Sequence, residues 1–386
     1  MTTLAAAPTR RIAAIDAMRG LIILIMTLDH ARETFFLHRQ VSDPIDLATT
    51  EPALFFSRVA AHFCAPMFVF LTGLSAWLYA NPASGPRSAR GFLLKRGLFL
   101  IVLELVFVSF AWSGRVPPPV LYLQVIWVIG LSMIALALLH TLPLRWLALL
   151  GAVIVAGHNA LSFPGLEPGS LAHGAWTVLE QRGFLVNDGP VRVKISYPLL
   201  AWIGVILLGY AAGPLFSNKV EPGARRRILL LAGAACLLLL ALLRGFNIYG
   251  EALPWSVQAD PLHTVMSFLN LTKYPPSFNF LLMTLGVGLI ALASMEAACT
   301  RVANERVLAL CATFGAAPLF YYLAHLYLLL ALRELTAALA DGQPHQAGGI
   351  GEVWLWSVAV IAALYYPCRW FGRYKRASTQ AWVRYL

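Results

Sequence analysis

One apolar stretch near the N-terminus holds four residues that a hydrocarbon environment penalises: Asp16, Arg19, Asp29 and His30. A charged or imidazole side chain on such a helix is costly to keep there, and it marks a pathway, a relay or a catalytic group. Arg19 and His30 are eleven residues apart, so on a helix they differ by only about 20° in azimuth and lie about 16 Å apart along the axis. Asp16 falls close to the same face. One stripe therefore carries an ion pair at its inner end and an imidazole at its outer end. An imidazole, with an ordinary pKa of about 6.5, can take a proton from a hydroxyl or amine near neutral pH. It can also attack an activated carbonyl itself. A guanidinium holds phosphate bidentately. Plainer roles exist for each: Asp16 and Arg19 can pair locally at i, i+3, and His30 can hydrogen-bond a neighbouring helix. Asp29 points about 100° away from His30 and does not orient it within the same turn.

Other polar groups could complete such a site. His62 follows Arg58 by four residues on one helical face and precedes Pro66, which kinks the span. His38 lies just beyond the first apolar stretch. Lys95 and Arg96 offer positive charge at the basic side. Lys273, Tyr274, Asn279, Tyr321 and His325 gather at the opposite side, with Tyr321 and His325 sharing a face at i, i+4. Aromatics beside polar groups suit a sugar, although Tyr and Trp also belt every membrane interface. Arg225 to Arg227 are further cations, but no Gly-rich phosphate loop accompanies any of these bases.

The elements that must position these residues follow from composition. The 386 residues are 59% hydrophobic and 12% charged, against about 25% charged in an ordinary soluble domain. One soluble core cannot hide so much apolar surface, whereas lipid removes the need to. Apolar windows fall near 14–36, 54–79, 92–113, 119–140, 144–162, 197–216, 227–246, 278–297, 308–332 and 352–371. They predict an all-α polytopic membrane bundle of about ten transmembrane helices, forming one integral-membrane domain over 1–386. The first window is too long for a signal h-region and lacks a cleavage site, so it is expected to remain as a span. The stretches 163–195, 247–276 and 334–351 read as loops. Five cysteines sit in apolar runs without CxxC spacing, as small core residues and not as metal ligands or a disulfide framework.

Lys and Arg collect at alternate ends of these windows, including Arg87, Arg90, Lys95, Arg96, Arg145, Lys219, Arg225, Arg301 and Arg369. The opposite ends hold most of the acids. The positive-inside rule then puts both termini in the cytosol. The net charge of +11 reads as a topology signal, with anionic lipid as a further partner. Nucleic acid is excluded as a partner because no soluble basic face exists.

The stretch Arg11-x4-Asp16-x2-Arg19-Gly20-x9-His30 resembles the opening of the DUF1624 membrane proteins, which belong with the heparan-α-glucosaminide N-acetyltransferase catalytic family. Its Asp-x2-Arg-Gly…His spacing is more distantly similar to the acyltransferase-3 family. The resemblance continues through Arg58-x3-His62-Phe63-Cys64-Ala65-Pro66 to Gly73, and through Lys95-Arg96-Gly97 with Glu104. It extends to Tyr197-Pro198 through Tyr210, Leu271 to Ser277, Pro318 through His325, and Tyr366-Pro367-Cys368-Arg369-Trp370, covering essentially the whole chain.

The resemblance implies a transmembrane acyltransferase. It would move an acyl group, acetyl in the first instance, from cytosolic acyl-CoA to a hydroxyl or amine of an extracytoplasmic sugar-type acceptor, a glycan or glycolipid. Acetyl-CoA is then the donor substrate, with no metal. By resemblance the catalytic base is His30, while the lysosomal enzyme's histidine lies after the first span, where this sequence offers His38. His62 is a third choice, and the three stay open. Asp16, Arg19, Lys95 and Arg96 are the donor-binding candidates. Arg58, Lys273, Tyr274, Asn279, Tyr321 and His325 are the acceptor-side candidates. The compact loops point to a bacterial inner membrane, and self-association is left open. The competing class is a secondary transporter or flippase for a lipid-linked or small anionic compound, which predicts related halves around a midplane site. A non-catalytic scaffold would leave the first-span stripe without a purpose.

Overall fold

Proline and glycine break the apolar runs at defined points. The computed structural model describes residues 10–39, 41–161, 163, 165–299 and 305–385; Arg301 lies outside them. The first run forms α1 (Arg10–Phe35), and the second divides into α2 (Pro52–His62) and α3 (Cys64–Ala80). Pro66 has no N–H to offer the His62 carbonyl, which is why the helix parts at Phe63. The third run is α4 (Arg90–Leu103), a π-turn over Glu104–Val108, and α5 (Ser109–Ser113). Then come α6 (Val125–Leu139), α7 (Leu144–Gly157), α8 (Leu171–Leu179), α9 (Leu200–Ala212) and α10 (Pro222–Gly245). The chain continues with α11 (Pro261–Leu269), α12 (Phe278–Ala298), α13 (Glu305–Gly315), α14 (Pro318–Leu339) and α15 (Ile350–Ala377).

Among the described residues, five helical stretches are long and apolar enough to cross a membrane: 52–80, α10, α12, α14 and α15. The chain is thus a predominantly helical membrane protein. Besides the division of the 54–79 window, other expected stretches differ; the loop at 247–276 contains α11. The window at 119–140 begins as a strand, β1 (Val120–Leu123), before α6 starts. The one at 308–332 splits, because Gly315 ends α13 and Pro318 opens α14 as a first-turn proline. The loop at 163–195 contains α8 and the strands β2 (Gly183–Val186) and β3 (Arg192–Ile195). The small sheet runs β1-β3-β2, with β3 parallel to β1 and antiparallel to β2.

Helix α1 is the central element. It packs on α2, α3, α12, α13, α14 and α15, so its polar stripe is turned toward protein on several sides. Its contact with α13 is a backbone-to-backbone approach: a side chain on Gly20 would overlap the Cys311 carbonyl, and one on Gly315 the Asp16 carbonyl. The same device joins α4 to α6, where a Cβ on Gly97 would sit 2.7 Å from the Gly130 oxygen. Lipid provides no hydrophobic drive between helices, and close van der Waals contact at small residues supplies the association.

Candidate active site

Near the C-terminal end of α1, His30 meets His325 from α14. Their Nδ1 and Nε2 atoms are 2.7 Å apart, and the rings are nearly parallel. His325 Nδ1 faces the Tyr321 carbonyl at 2.9 Å. A carbonyl oxygen only accepts, so His325 Nδ1 carries a proton and its neutral ring leaves Nε2 as an acceptor. His30 Nδ1 must then donate to it, and the lone pair of His30 is left on Nε2. The two partners thus settle the tautomer of the first imidazole, as a carboxylate does in a catalytic triad. His325 is fully buried. Beside it, Tyr321 Oη and Thr27 Oγ1 share a hydrogen bond of 2.6 Å.

Two aromatic rings flank His30 at nearly right angles: Trp112 from α5 at 5.1 Å between centroids, and Tyr322 from α14 at 5.9 Å. Trp112 Nε1 and Tyr322 Oη are both buried polar atoms without a hydrogen-bond partner among the described residues. Glu104 lies in the π-turn just before α5, with no exposed surface. One of its oxygens accepts the Trp127 backbone N–H at 3.0 Å, at the start of α6, and the other has no hydrogen-bond partner among the described residues. Single π-turns inside helices accompany functional sites often enough to draw notice.

One residue along, Asp29 anchors a cationic cluster. Arg58 Nη1 donates to its two oxygens at 2.9 and 2.8 Å, Arg32 reaches it at 3.1 and 3.2 Å, and Lys273 Nζ stands 3.8 Å away. Arg32 also pairs with Glu33. All three cations are at least nine-tenths buried. Asp43, in the loop after α1, accepts the backbone N–H groups of Lys273 and Tyr274 and so fixes the 271–277 segment over the cluster. Burial pushes the Asp43 carboxyl up from its ordinary value, against the lowering pull of those amides and of Arg58 and Lys273. Tyr274 donates to the Tyr197 hydroxyl at 3.1 Å. His62 is buried within electrostatic range of Lys273, Arg58 and Asp29, and neither of its nitrogens has a partner among the described residues.

Toward the N-terminal end of α1, Arg19 pairs with Asp16 at 3.1 Å and donates to Ser75 of α3. From there a cavity of about 280 Å³ runs between α1, α3, α4, α6 and α14. Arg19, Tyr79 and Arg96 are among its lining residues, as are Met26 and Tyr322. Its volume lies at the lower end for ligand pockets. Tyr322 belongs to this lining and also touches the His30 ring. The two ends of the first-span stripe are therefore linked by one continuous set of residues.

The family model described as heparan-alpha-glucosaminide N-acetyltransferase, catalytic, matches residues 11–239. The chain belongs to this family. A comparison with curated proteins gives no match. The part of this N-acetyltransferase-family chain that the model matches carries Asp16, Arg19, His30, Arg58, His62, Arg96, Glu104 and Trp112. Lys273, Tyr321, Tyr322 and His325 lie beyond the match and reach the same place through α14 and the loop before α12.

The candidates read from sequence thus separate. His30 and His325 share one contact, and His62, Arg58 and Lys273 surround Asp29. Tyr274 sits beside them. Arg19 and Arg96 line the cavity, whereas Lys95 is exposed and does not. His38 is exposed on a short turn, edge-on to Phe36. Asn279 is turned away toward the loop after α10, its amide donating to the Tyr249 carbonyl. Trp112, Arg32 and Ser75 were not singled out from sequence. Trp112 resembled any interfacial tryptophan, and Ser75 any small residue in an apolar run.

Proposed function

We propose that this chain is a transmembrane acyltransferase that carries an acyl group, acetyl in the first instance, from cytosolic acyl-CoA to a hydroxyl or amine on the far side. The observation that carries this reading is the His30–His325 pair, whose neighbour Tyr322 lines a cavity that Arg19 and Arg96 also line. Coenzyme A presents phosphates and a long, narrow pantetheine arm. Guanidinium groups at the inner end suit the phosphates, and the cavity's largely apolar lining suits the arm. The thioester would then reach Tyr322, next to His30.

His30 acts as the general base through Nε2. It takes the proton of the acceptor O–H or N–H as that heteroatom bonds to the thioester carbon. It returns the proton to the departing CoA sulfur as the C–S bond breaks. His325 holds His30 in the required tautomer. Arg58, Lys273 and Tyr274 hold the acceptor, a sugar-type hydroxyl or amine, which approaches from the side opposite Arg19. His62 and His38 are the lesser candidates for the base: His62 faces the Asp29 cluster, and His38 faces solvent.

In this reading the whole chain is one membrane domain of ten spans with both termini in the cytosol, in a bacterial inner membrane. The short helices α6, α7 and α9 complete their crossings with the strand and turns that flank them. Incubating the purified protein with radiolabelled acetyl-CoA and a panel of amino sugars and glycans tests the activity. Label transfer that is lost in His30→Ala is expected. Unchanged transfer in that variant would remove His30 from the mechanism.

A further inference from the structure

Acyl transfer from a thioester develops negative charge on the carbonyl oxygen, and an enzyme that catalyses it needs donors aimed at that charge. Two buried donors flank His30 without a hydrogen-bond partner among the described residues: Trp112 Nε1–H and Tyr322 Oη–H. An indole nitrogen is a donor only. A buried donor left without an acceptor costs folding free energy, so two of them beside one imidazole call for an occupant that supplies acceptor atoms. Their rings stand at 81° and 76° to the His30 ring, at centroid distances of 5.1 and 5.9 Å. Tyr322 also lines the cavity that Arg19 lines, which places a donor residue where that cavity adjoins His30.

We propose that Trp112 and Tyr322 form the oxyanion hole of the acyl-transfer step. The inference rests on the function proposed above and names residues that reading did not require. As the acceptor heteroatom bonds to the thioester carbon, its proton passes to His30 Nε2 and the C=O π pair moves onto oxygen. Trp112 N–H and Tyr322 O–H donate to that oxyanion. When the pair returns, the C=O bond re-forms and the C–S bond breaks, and the sulfur leaves with the proton from His30. One competing acceptor is present, the unpartnered oxygen of Glu104, which lies within electrostatic range of Tyr322. Tyr322 makes no hydrogen bond to it. The other Glu104 oxygen is held at the start of α6 by the Trp127 amide.

Tyr322→Phe and Trp112→Phe remove one donor each while keeping an aromatic ring. The probes are [1-13C]acetyl-CoA and, as acceptor, glucosamine. In the wild type the labelled carbonyl stretch of bound acetyl-CoA should lie below its value in water, and each variant should move it back. Turnover should fall by about 10²-fold or more per donor, with KM for acetyl-CoA within about twofold. Variants with the wild-type carbonyl band and turnover within threefold, alongside an inactive His30→Ala, would overturn the oxyanion hole and leave the acyltransferase reading standing. Failure of the wild type to bind acetyl-CoA, or full activity in His30→Ala, would overturn that reading as well. If Trp112→Phe does not fold, Tyr322→Phe decides by the same two readouts.

Discussion

His325→Ala is the substitution that most sharply separates a positioned base from a histidine that merely packs. In the structure His30 Nδ1 has one acceptor, His325 Nε2 at 2.7 Å. Removing it leaves a buried N–H without a partner, a penalty of about 1–3 kcal/mol. The alternative His30 tautomer, with its proton on Nε2, escapes part of that penalty and presents no lone pair to the acceptor. At about 1.36 kcal/mol per tenfold, the active tautomer loses a factor of roughly 5 to 150. The loss should fall on kcat, because His325 is not among the cavity-lining residues and KM for acetyl-CoA should stay within about twofold. His325→Gln, whose side-chain oxygen can accept the same proton, should recover part of the rate. Single-turnover transfer from radiolabelled acetyl-CoA, normalised to folded protein, measures both. A His325→Ala variant within twofold of wild type, beside an inactive His30→Ala, would refute the tautomer argument.

Three further outcomes follow from other parts of the structure. Arg19→Ala should raise Kd for CoA by roughly three- to tenfold in titration calorimetry, the worth of one charge-assisted contact discounted for partial exposure; equal affinity would take Arg19 out of the donor site. Asp29→Asn leaves Arg32, Arg58 and Lys273 buried around a neutral amide, and breaking such a cluster costs about 3–5 kcal/mol. A melting midpoint equal to wild type would show that Asp29 does not hold the cluster. Gly20→Val should force α1 away from α13 and lower yield and thermal stability together, whereas normal stability would mean that the backbone contact at Cys311 is dispensable.

Most of the helical frame was legible because apolar runs of sufficient length admit few readings in a membrane. The exceptions have local causes. Gly315 and Pro318 are ordinary stop and start signals, yet they sit inside a run apolar enough to look continuous. Strands β1 and β3 span only four residues each, too few to stand out beside long helices. Individual site residues were legible where their type was costly, as with Arg19, His30, Arg58 and Lys273. Their grouping was not. His30 and His325 are 295 positions apart, and nothing local to either announces the other. Asp29 looked subordinate because its azimuth differs from that of His30, and that same difference turns it toward Arg58 on α2 and Lys273 before α12. Trp112 lay hidden among ordinary aromatics, since only the partners that its N–H lacks set it apart.

The central claim is that a donor on the Arg19 side is joined to an acceptor on the other side at His30. Proteoliposomes test it directly, with radiolabelled acetyl-CoA outside, glucosamine inside, and the fraction of protein in each orientation determined by protease accessibility of the C-terminus. Labelled product should accumulate inside, in proportion to the protein whose Arg19 end faces out, and should be absent with His30→Ala. Product that forms only where donor and acceptor share a compartment, or that forms equally with His30→Ala, would contradict the account.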